Sequence, residues 1–65
     1  MRISDLRERL TLSFGAQWAP SFSQDIAISE LGSRTVDEAL KDGFEAADIW
    51  RAVCKQCPVE TEKYR

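Results

Sequence analysis

A chain of 65 residues has room for one domain, and a domain of that size buries only about 60% of its unfolded surface, so its core must recruit most of the apolar residues available. Those are 43% of the chain, including two Trp and three Phe, which is too much for a disordered polypeptide and leaves little material for a deep catalytic cleft. Nine basic against eleven acidic residues give a net charge of -2, a balance with no strong pull toward nucleic acid or anionic lipid. No apolar run approaches the roughly 20 residues of a membrane span. The charged start "MRISDLRERL" lacks the apolar stretch of a secretory signal, so a cytoplasmic protein with reduced thiols is expected.

The first segment, "ISDLRERLTLSFG", predicts a helix of about ten residues. Ser4 is the expected N-cap, Asp5 lies near the positive end of the dipole, and Leu6, Leu10 and Phe14, with Ile3 one turn earlier, form a narrow apolar stripe. Gly15 ends it. The second segment, "WAPSFSQDIAISELG", reads as one helix with Pro20 in its first turn and Gly32 at its end. Its apolar residues surround most of its girth, which predicts a central position; Ile26-Ala27-Ile28 is also compatible with a very short strand.

The third segment, "TVDEALKDG", opens on a Thr35–Glu38 capping box, turns Val36, Ala39 and Leu40 inward and stops at Gly43. Barely two turns long, it depends on packing to exist. In the fourth, "EAADIWRAVCKQC", the residues Ala46, Ile49, Trp50, Val53, Cys54 and Cys57 follow the helical period without interruption, and Pro58 stops the helix. The expectation is an all-α fold, a compact bundle of three to four short helices occupying residues 1–59, the last two able to form a helix-turn-helix-like corner. Residues 60–65 are expected to be a charged, frayed tail.

The C-x-x-C of Cys54 and Cys57 has the spacing of redox centres and of half a zinc site. A thioredoxin-type pair begins a helix, where the dipole favours thiolate; this pair ends one, where the dipole opposes it. Tetrahedral zinc wants four ligands, and the chain has two Cys and no His, so only a dimer sharing four cysteines would complete a shell. Packing is the favoured reading of both sulfurs, with a thiol or shared-zinc site the lesser alternative. The absence of His also removes the commonest general base, and the acid pairs lie around helix ends, where acids cap or stay solvated. No catalytic residue, metal ligand or cofactor is therefore expected.

Two binding readings remain. Ala39, Gly43 and Ile49 match the small–Gly–aliphatic spacing of a DNA-binding helix-turn-helix, whose recognition helix would offer Arg51 and Lys55. Glu45 and Asp48 would then face the phosphates, which disfavours nucleic acid as a partner. Arg2, Arg7 and Arg9 interleave with Asp5 and Glu8 as a solvated face. Trp18, in the "GAQWAP" connection, either staples the first two helices together or forms with Phe22 a partly exposed patch for a protein partner. Arg34 and Arg51 are the polar candidates for the same role. Arg34 could instead bond carbonyls at the end of the second helix, and Arg51 could pair with Asp48.

"RERL…FG", Leu31-Gly32, Arg34-Thr35, Ala39-Leu40, Gly43 and Trp50-Arg51-Ala52, in this order, resemble a family of small uncharacterised actinobacterial proteins, domain of unknown function 3046. The resemblance runs from Met1 to about Val59. It implies a cytoplasmic, helical, stand-alone protein and brings no activity, cofactor or catalytic residue with it. Members usually carry an apolar residue at the position of Cys57 and often a His at that of Ile26, departures that favour packing for the first and give the second no special role. The reading is a small non-enzymatic helical module that binds an unidentified protein partner through Trp18, Phe22, Arg34 and Arg51.

Overall fold

In the computed structural model, which describes residues 1–65, the first helix, α1, spans Ile3–Phe14. Its N-cap is Arg2 rather than Ser4, because the Asp5 carboxylate accepts the Arg2 backbone N–H at 3.1 Å and so starts the helix two residues earlier. Leu6 and Leu10 are fully buried, and Phe14 packs against the core. Ile3, placed on the same stripe by spacing, is exposed.

The second segment is not one helix. α2 covers only Ala19–Asp25, after which residues 26–28 are extended and Ser29–Leu31 form a single 3₁₀ turn. The reason is geometric. Ile26 and Ile28 would stand about 200° apart on a helix, but on an extended chain they share a face. The break lets Ile28 be fully buried and Ile26 pack beside the core, while Ala27 faces water. The backbone groups released by the break find new partners. Ile28 N–H donates to the Arg34 carbonyl at 2.8 Å, an isolated bridge, and the Gln56 amide accepts from Ser29 N–H and donates to the Ala27 carbonyl, both at 3.0 Å. Gly32 and Ser33 then take positive φ of 69° and 64°, and the Ser33 N–H returns to the Ile28 carbonyl at 3.1 Å.

The third segment forms as its residues predict. α3 spans Val36–Lys41 with both halves of the capping box present: Glu38 N–H to Thr35 Oγ1 at 3.1 Å and Thr35 N–H to Glu38 Oε1 at 2.9 Å. It ends in a Schellman motif, with Phe44 N–H on the Ala39 carbonyl and Gly43 N–H on that of Leu40. The required positive φ falls on Gly43, at 89°. After the short link Asp42–Glu45, α4 runs Ala46–Gln56 and buries Ala46, Ile49, Trp50, Ala52 and Val53. Ala39 and Ile49, the residues expected at the corner between α3 and α4, both lie in the one core.

Past Val59, where a frayed tail was expected, the chain continues in helical turns. Pro58 ends α4 and also begins a further helix, α5, Pro58–Thr61, followed by a 3₁₀ turn at Glu62–Tyr64. Proline suits a first helical position because its missing N–H has no partner there. Thr61 is fully buried, since its hydroxyl donates to the Cys57 carbonyl at 2.8 Å and leaves the methyl free to pack. Both α5 and the final turn contact α1.

The architecture is all-α: five α-helices and no strand. Thirteen buried apolar residues make a single core, including Phe22, whose ring stacks on Phe14 at 4.1 Å. The radius of gyration, 10.3 Å, is close to the ~10.7 Å expected of a folded chain this long. No helix is long and apolar enough to cross a membrane.

Candidate functional site

The four residues assigned to a partner surface are not brought together as one patch. Phe22 is a core residue, so it is not the exposed half of an aromatic pair with Trp18. Trp18 is 47% exposed at the start of α2. It borders a shallow cavity of about 310 Å³ that Ser13, Phe14, Phe22, Ile26, Cys57 and Glu60 complete. The floor of this groove is the Phe14–Phe22 stack.

Arg34 is spent inside the fold. Its Nη1 donates to the Leu31 carbonyl at 2.9 Å, its Nε pairs with Asp42 at 2.8 Å, and its guanidinium lies 5.1 Å from the centre of the Phe44 ring. These contacts tie the 3₁₀ turn to the end of α3. The carbonyl bond is the structural use anticipated for it; the aromatic stack is not visible in the sequence.

Arg51 projects into solvent, 76% exposed, and pairs with Asp48 one turn back at 2.9 Å. Lys55, the other cation of the nucleic-acid reading, reaches Glu30 at 3.3 Å. With both cations partnered by carboxylates, and Glu45 and Asp48 exposed at the start of α4, this helix offers little to a phosphate backbone.

Cys54 and Cys57 are free and half-buried. Burial pushes the Cys57 thiol above its ordinary pKa of 9.0, reinforced by the charges of Glu60 and Cys54. Thiolate chemistry needs the opposite shift. No group of three or more His, Cys, Asp and Glu side chains converges on a point that would hold a metal ion. The two sulfurs border different surfaces: Cys57 lines the Trp18 groove, and Cys54 lines a second cavity.

That second cavity, about 400 Å³, was not anticipated. It is bounded by Met1, Arg9, Ala47, Trp50, Arg51, Cys54 and Arg65, three guanidinium side chains and no Asp or Glu. Arg9, expected on a solvated face, extends over the Trp50 ring with Cζ 5.9 Å from the ring centre. Trp50 is 6% exposed, and its indole N–H has no hydrogen-bond partner in the protein. The one signal available in the sequence was Trp50 itself, because a buried indole normally places its N–H against an acceptor. No residue near it in the chain supplies one.

A small helical domain with two shallow surfaces, one aromatic and one cationic, is the class of protein that fold and geometry define. The chain belongs to the family described as "Protein of unknown function (DUF3046)", which it matches over residues 1–61. No curated protein and no solved structure gives a match.

Proposed function

We propose that this protein is a cytoplasmic, non-enzymatic interaction module that docks a protein partner on the Trp18 groove. The observation that supports this is the half-exposed indole of Trp18 beside the apolar edges of Phe14, Phe22 and Ile26. A Trp in that state leaves on the order of 100 Å² of ring in water. Covering it is worth about 2–3 kcal/mol, the size of an interface hot spot.

The test is affinity capture from native lysate with wild type and Trp18→Ala, combined with a photo-cross-linker at position 18. A reproducible protein that cross-links at 18, shields Cys57 from alkylation and is lost with Trp18→Ala supports the reading. Identical protein profiles for the two baits, with no cross-link, overturn it.

A further inference from the structure

We infer that the cavity over Trp50 is a recognition site for a short acidic peptide segment, one that presents carboxylates around an apolar side chain. This goes beyond the Trp18 groove, with which the cavity shares no residue.

Two observations carry it. The first is charge. The chain as a whole is acidic, at -2, yet Arg9, Arg51 and Arg65 border this one cavity and no Asp or Glu does. Arg51 is partly neutralised by Asp48. Arg9 makes no ion pair and Arg65 bonds only the Pro58 carbonyl, at 2.6 Å, so two guanidiniums retain their charge and their forked donors for a carboxylate. The second is the lining. Ala47, Trp50 and Cys54 supply an apolar floor, which favours a ligand with a side chain to insert over a bare anion.

A peptide fits better than nucleic acid. Phosphodiester backbones bind extended basic tracks. Here Arg9 and Arg65 also border an adjoining cavity in which Asp5 and Glu8 alternate with Lys63, so the basic surface does not continue as an unbroken track. A strand of phosphates crossing into that cavity would meet carboxylates.

The experiment uses a fluorescein-labelled peptide of alternating Asp and Leu, its Asn-for-Asp counterpart, and a single-stranded oligonucleotide of equal charge, each titrated by anisotropy into untagged full-length protein. Two variants accompany wild type. Arg9→Gln with Arg65→Gln removes the free cations. Ala47→Glu brings a carboxylate to the cavity from an exposed first-turn position, where an acid suits the helix and the fold is kept. Far-UV circular dichroism confirms folding.

The acidic peptide should bind at least about tenfold more tightly than the Asn peptide and lose about tenfold or more in either variant. Its affinity should fall as salt rises from 20 to 150 mM, on the order of Debye screening. It should shield Cys54 and not Cys57 from iodoacetamide; trypsin cuts after Lys55, so the two sulfurs report separately. Equal binding of the acidic and Asn peptides, unchanged affinity in both variants, or tighter binding of the oligonucleotide overturns the assignment. Shielding of Cys57 instead transfers the binding to the Trp18 groove and also overturns it. Trp18→Ala, which tests the other surface, should leave this affinity unchanged.

Discussion

At the scale of single residues, the densest set of dependences meets at Arg34. Its guanidinium bonds Leu31, pairs with Asp42 and covers Phe44, and it lies directly over Gly32. A Cβ placed on Gly32 would sit 2.8 Å from Arg34 Nη1, and Gly32 holds φ of 69°. Gly32→Ala therefore carries two penalties, a left-handed backbone for an L residue and displacement of a guanidinium with three roles. We expect it to cost about 2 kcal/mol, read as a lower urea midpoint with an unchanged slope. Gly43 also has positive φ but has nothing within 4 Å of its added Cβ. Gly43→Ala should cost only the backbone penalty, about 1 kcal/mol.

Cys57 gives a second prediction at this scale. Its proton is held more tightly in the folded protein than in the unfolded chain, chiefly because burial disfavours thiolate. The folded state thus binds more protons in that window, and its stability falls as pH rises above about 9. The contribution is fully present at neutral pH. Urea titrations between pH 7 and 10.5 should show a steeper alkaline loss for wild type than for Cys57→Ala. Parallel curves would mean the thiol is not responsible.

At the scale of elements, α1, α3 and α4 were legible because each joins an apolar period to a stop signal, Gly15, Gly43 and Pro58 in turn. Leu6 and Leu10, the Thr35–Glu38 box, and Ile49 with Val53 all occupy the places their spacing assigns. α2 was not legible in full. Apolar residues all around a helical wheel fit a central helix and an interrupted one equally, and the interrupted form is supported by a residue 27 and 29 positions from the backbone groups it bonds. Gln56 receives the backbone groups that the break at Asp25 sets free. Gln56→Ala should cost about 1–2 kcal/mol and speed amide exchange at Ser29, whose N–H loses its acceptor. The candidate surfaces were hidden for a related reason. Trp18 was visible as an aromatic in a connection. The cationic cavity draws on residues 1, 9, 47–54 and 65, which only the fold assembles.

At the scale of the whole molecule, thirteen core residues leave little reserve, and the last helical turns matter more than their charged composition announces. Thr61 is buried as completely as Leu6, and Tyr64 packs against the same core. A chain ended at Val59 should lose about 2 kcal/mol of apolar burial and its Tm should fall by about 8 °C or more, measured by calorimetry. A frayed tail would have left the Tm unchanged, so this truncation separates the two pictures directly.

Met1 and Arg65, the first and sixty-fifth residues, border the same cavity. Joining these two residues by a linker, with new ends opened at the exposed 15–18 connection, is therefore a direct probe of how the two residues are placed. The same placement has a practical side. A purification handle fused at either end is tethered beside the guanidinium cluster, where an acidic one would act as a competing occupant at millimolar effective concentration.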